Sequence, residues 1–213
     1  MFQKSFGTSG VNAIGSFQLS QLNSSSVQSK LKAAGINTNS KQYKAAVKQM
    51  MSAGNGAMYG NIQGIKNLMS HYDKDGDYIN PVNGLAGLLV TDENESSRKS
   101  IISIPDSSKE EMYELTKKEF LRENGVHNGD TTKRTDVYNN LYRKMSKKDR
   151  LAAGYTLEKY ERIYRQAFYD AAKKADPNWE IGKPIKDGAL DSVTRETAES
   201  GKSPAQATLD TKI

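Results

Sequence analysis

"TLEKYERIYRQAFYDAAKKA", Thr156 to Ala175, places Tyr160, Ile163, Tyr164, Ala167, Phe168 and Ala171 three and four residues apart. That spacing predicts a helix over Leu157–Ala175, capped by Thr156, with one continuous apolar and aromatic stripe. The same period recurs towards the N-terminus. Val137, Leu141 and Met145, flanked by Tyr138 and Tyr142, predict a helix from Asp130 to about Ser146. Ser108-Lys109-Glu110-Glu111 resembles a capping box opening a helix that ends at Gly125, with Met112, Leu115, Phe120 and Leu121 as its apolar residues.

Further back, Ser24–Ala34 reads as a short helix ended by Gly35. A second begins after Asn39 or Ser40 and puts Tyr43, Ala46, Val47, Met50 and Met51 on one face. "SAGNGAMYGN", Ser52 to Asn61, breaks the pattern with three glycines. Ile62, Ile65, Leu68 and Met69 then resume it. Asn80-Pro81 opens a further expected helix through Val82, Leu85, Ala86 and Leu89, weakened by Gly84 and Gly87. "SIISI", Ser100 to Ile104, reads as a short strand stopped by Pro105. Trp179, Ile181 and Ile185 are expected to fold back after the long helix, and Leu190–Ala198 forms a last weak one. Alternation in "IGSFQLSQL" allows a strand or a docked arm near the N-terminus.

These elements predict a mainly α fold: an irregular helical bundle with at most a short two-stranded β element. The expected organisation is a polar, basic N-terminal arm (1–35), a helical core domain (36–185) and a C-terminal tail (186–213). The 213 residues suffice for one domain with a core, while 36% hydrophobic residues and a mean hydropathy of −0.74 suggest that part of the length is not buried. No apolar run is long enough to cross a bilayer. The N-terminus lacks the basic-then-apolar pattern of a secretion signal, so the default expectation is cytoplasmic, with leaderless export open. Cysteine is absent, which excludes disulfides, thiolate metal sites and cysteine nucleophiles.

Charge is unevenly distributed. Met1 to Tyr72 holds seven lysines and no acid, whereas Asp73 to Glu95 holds six acids and only Lys74. A basic front beside an acidic stretch suits an acidic protein or polymer surface, or another copy of the chain.

The acidic stretch opens with "DKDGDYINPVN", Asp73 to Asn83, between two expected helices. Three carboxylates at alternate positions of one short loop repel one another unless a cation neutralises them. The loop resembles an EF-hand calcium loop from which one glycine, the one after the third acid, has been deleted. The resemblance implies an EF-hand-like helix-loop-helix and a weak structural Ca2+ site with Asp73, Asp75 and Asp77 at its centre. It places the carbonyl of Tyr78 as a ligand, Ile79 at the apolar lock and Asn83 at the closing position, normally a glutamate. Without a deletion the closing position falls on Gly84, which has no side-chain ligand. Asp92, Glu93 or Glu95 is an expected source of a further carboxylate.

Other chemistry is thinner. His71 ends the helix entering the loop, and His127 lies in a Gly/Asn turn far from it in sequence. No Ser-His-Asp order, zinc-binding HExxH or phosphate-cradling loop is present. Lys133 to Arg150 interleaves seven basic residues with Tyr138 and Tyr142, but that pattern fits a solvated helix face better than a nucleic-acid surface.

"INTNSKQYKAAVKQMMSAGNG", "GDTTKRTDVYNNLYRKM", "YERIYRQAFYDAAKKADPNWEIGKPI" and "ALDSVTRE" resemble a family of uncharacterised clostridial proteins, described only as a domain of unknown function. The resemblance covers most of the chain after Gly35 and implies one coherent domain; it supplies no catalytic residues and no substrate. The expected function is a non-enzymatic structural or interaction protein that self-associates or binds a partner. The alternatives are an enzyme or toxin-like effector whose site assembles only in three dimensions, and a nucleic-acid binder.

Overall fold

Helices carry most of the chain in a computed structural model that describes residues 16–53, 59–127 and 131–200. The chain makes two units, Met1–Ala86 and Gly87–Ile213.

In the first unit, Ser24 caps α1 (Ser25–Ala33), its side chain accepting from the Val27 amide at 3.3 Å. Gly35, at φ +78°, ends α1: its amide reaches the Lys32 carbonyl and that of Ile36 reaches Leu31, both at 3.0 Å. Ser40 receives the Tyr43 amide at 3.1 Å and starts α2 (Lys41–Ala53). Asn61 caps α3 (Ile62–Met69). A two-residue strand, β1 (Phe17–Gln18), pairs antiparallel with β2 (Tyr59–Gly60). The core is apolar: Phe17, Leu19, Leu22, Val27, Leu31, Ile36, Tyr43 and Ile65 are buried together. The described part of the expected arm, 16–35, therefore supplies five of those core side chains, while residues 1–15 lie outside the described residues.

The second unit is built around α7 (Arg150–Ala175), against which α5 (Asp106–Arg122) and α6 (Thr131–Lys144) pack. Phe168 and Tyr164 are fully buried, and Tyr113 meets Tyr164 edge-on at 5.4 Å. Trp179 folds back onto Phe120 and donates its indole N–H to the Lys183 carbonyl at 2.8 Å. Two short helices, α4 (Glu95–Arg98) and α8 (Arg195–Glu199), complete it. Within the expected tail, Leu190 and Ala198 are buried, and 201–213 lie outside the described residues.

Three expectations are corrected. First, α7 begins at Arg150, not Leu157. Gly154 is no helix stop; an added Cβ there would stand 2.5 Å from the Tyr142 hydroxyl, so the glycine is the point where α6 lies across α7. Second, Ser100–Ile104 is not a strand, because its Ile102 amide is taken by the Thr156 hydroxyl at 3.1 Å. Thr156, expected as a cap, is thus a mid-helix anchor for that segment. Third, no helix leaves from Pro81. Asn80 and Asn83 turn their side-chain oxygens onto the amides of Val82 and Leu85, at 2.9 and 3.0 Å, and Gly84 and Gly87 adopt φ of +71° and +82°. Local side-chain bonds and left-handed glycines outcompete the helix there. The expected helix-loop-helix therefore has its entering helix, α3, but turns in place of the leaving one. Among the described residues no helix is long and apolar enough to cross a membrane.

Candidate functional site

Two features of the first unit carry charge in a patterned way: the aspartate loop and the exposed lysines. The loop is held by α2 and α3. Gln42 of α2 donates to the carbonyls of Met69 and Tyr72 at 2.9 and 2.7 Å, tying the start of α2 to the end of α3. The Tyr72 hydroxyl reaches Gln49 at 2.9 Å, and Tyr72 bridges Tyr78 across the loop, ring edge to ring face at 5.9 Å.

Inside that frame the Asp73 carboxylate organises the turn. Its Oδ1 accepts the amides of Asp75 and Asp77, both at 2.9 Å, while its own amide donates to the Asp77 carbonyl at 2.9 Å. The sharp bend falls on Gly76, at φ +84°, where an added Cβ would meet the Lys41 carbonyl oxygen at 3.0 Å. This explains how the loop does without a glycine after Asp77: the left-handed residue stands one place before the third acid, and Tyr78 is freed to pair as extended backbone. Ile79 donates to the His71 carbonyl at 2.8 Å and bridges Ala86. The His71 side chain is exposed.

Among the described residues, no three His, Asp or Glu side chains stand together to hold a metal ion. Asp73 spends one oxygen on the loop's amides, and the Asn83 oxygen expected to close the shell lies on Leu85.

The lysines are the second feature. Lys30, Lys32, Lys41, Lys44, Lys48 and Lys66 of the first unit are all exposed, and none makes an ion pair among the described residues.

A third charged group was not foreseen in the sequence. Arg134 of α6 pairs with Glu119 of α5 and Glu161 of α7, both carboxylates almost fully buried. His127 donates to Glu161 at 3.1 Å, and buried Arg165 donates to the Gly125 carbonyl at 2.8 Å. Burial pushes the Glu161 carboxyl up, but the His127 hydrogen bond and the Arg134 charge outweigh it and hold it below its ordinary value. Glu161 is thus a fixed counter-ion. Its signal lay in the stripe itself: Glu161 stands three residues before Tyr164 and seven before Phe168, on the face that had to be buried.

The arrangement defines a helical protein whose second unit buries an ionic junction and whose first unit turns lysines outward. The chain belongs to the family described as a domain of unknown function, DUF3879, whose model matches residues 36–213. No curated protein and no solved structure matches it.

Proposed function

We propose that the protein is a non-enzymatic interaction protein whose basic first unit engages an acidic surface, on another copy of the chain or on an acidic protein. The observation that carries this is the set of six exposed lysines without an ion-pair partner among the described residues, in a stretch that holds no acid before Asp73. Charge left unpaired on a folded surface is available for long-range attraction, and its effect fades as salt shortens the Debye length. Light scattering on the full chain at low ionic strength, alone and with added poly-glutamate, tests it. Association or poly-glutamate binding that disappears with salt is expected. A monomer indifferent to poly-glutamate sinks the proposal.

The aspartate loop adds a weak structural calcium site to this proposal. Calcium would have to draw the Asp75 and Asp77 carboxylates towards Asp73, with the Tyr78 carbonyl and Asn83 at the margin, and that re-aiming is why the site is weak. Millimolar calcium is expected to raise the melting temperature of the full chain, and Asp75→Ala to abolish the rise. An unchanged melting temperature in both proteins removes the metal from the proposal and leaves the lysine surface standing.

A further inference from the structure

We propose that Lys41, Lys44 and Lys48 of α2 form a docking face for a second copy of the chain, which presents to it the acidic stretch Asp92–Glu95. The assignment rests on the self-association part of the function proposed above and names the surfaces that would meet.

The three lysines are three and four residues apart, so they share one face of α2, with Cβ atoms about 5–6 Å from their neighbours. Tyr43 and Ala46, on the opposite side, are buried in the unit's own core, and Met50 packs beside them. The lysine face therefore has no structural task within the fold. α2 contains no acid, and none of the three lysines is ion-paired among the described residues. Like charges on successive turns of one helix destabilise it. An opposite charge from outside removes that repulsion.

The chemistry favours carboxylates on a polypeptide. The first unit contains no arginine, so no planar fork is present to grip phosphate in two-pronged fashion. The one aromatic residue of α2, Tyr43, is buried, which leaves no ring on this helix for a base to stack on. Ala45 and Ser52, short side chains on the same face, let a partner backbone approach the lysine stems. The matching charge is in the chain itself. Asp92, Glu93 and Glu95 are exposed, have no ion-pair partner among the described residues, and lie within four residues that contain no lysine or arginine.

Charge swapping tests this on the full chain. One variant carries Lys41→Glu, Lys44→Glu and Lys48→Glu; the other carries Asp92→Lys, Glu93→Lys and Glu95→Lys. Wild type is expected to scatter above the 23.5 kDa of one chain at about 0.01 M salt and to return to it at about 1 M. Each variant alone is expected to stay at one chain mass, and an equimolar mixture to recover wild-type association, since both faces then meet opposite charge. Circular dichroism confirms that the variants fold. A neutral triple variant, Lys41→Gln with Lys44→Gln and Lys48→Gln, is expected to lose association without any reversed charge.

A wild type that stays monomeric yet binds poly-glutamate overturns the docking face and spares the broader function. Association that survives the lysine reversals overturns the face while leaving self-association intact. Loss in each variant without recovery in the mixture overturns the acidic stretch as partner, as does lysine-dependent binding of nucleic acid with no self-association.

Discussion

The two units reach a helical fold by opposite treatments of charge. Every buried polar or charged residue among those described, from Ser108 to Arg165, belongs to the second unit. There Arg134 joins Glu119 to Glu161 in the interior, and Arg195 gathers Glu110, Glu199 and Glu196 at the surface. Among its described residues the first unit buries only apolar side chains and Tyr43, and it has caps at Ser24, Ser40 and Asn61. A buried ionic junction adds little net stability, while removing one partner from it costs much. Apolar burial with capped ends fixes a fold without spending any charge. The lysines of the first unit stay exposed.

The comparison breaks most visibly at Arg134. Arg134→Met leaves two carboxylates buried without their shared cation, a loss of about 3–5 kcal/mol in chemical denaturation. The pH dependence changes sign as well. In the wild type the depressed Glu161 value contributes stability that is present above its unfolded pKa and lost as pH falls through the folded one. In Arg134→Met, Glu161 loses the charge that offsets its burial and its carboxyl rises, so the cost is full at neutral pH and shrinks on acidification as a proton is taken up. A variant whose stability deficit stays constant with pH would show that the junction is solvated and not buried.

That junction also marks the limit of what the sequence disclosed. Helices were legible because caps and apolar periods act locally: Gly35, Ser40 and the Tyr164–Phe168 stripe each do what their spacing implies. Glu119, Arg134 and Glu161 are separated by a turn and a helix, and only packing makes them neighbours. The helix expected from Pro81 failed for a local reason, since two asparagines offered its amides other acceptors. Of the candidate site, the three aspartates and their entering helix were legible. The transfer of the left-handed bend to Gly76 was not, because it depends on how closely the loop approaches Lys41.

Gly76 gives the next largest effect. Gly76→Ala forces a side chain into φ +84° and against the Lys41 carbonyl, at a cost of about 1–3 kcal/mol. The loss belongs to the first unit: amide exchange should accelerate at Asp75 and Asp77, whose amides are bound by Asp73, and stay unchanged in α5 and α7. An unperturbed variant would mean that the loop bends elsewhere.

The smallest effect sharpens the contrast most. A substitution that removes surface charge from the ion-paired second unit is expected to be neutral or destabilising. Lys44→Gln should do the reverse, because Lys44 sits between Lys41 and Lys48 on a helix with no acid to offset it. Relief of that repulsion is expected to stabilise the first unit by a few tenths of a kcal/mol at low salt and by nothing measurable at about 1 M, where the Debye length is roughly 3 Å. The measurement is a pair of denaturation curves, one at each ionic strength. A gain that vanishes with salt shows that the lysine face is maintained against the stability of its own helix, as a surface kept for an external partner should be. A loss at low salt would show instead that Lys44 supports the fold, and the three lysines would then be no spare surface.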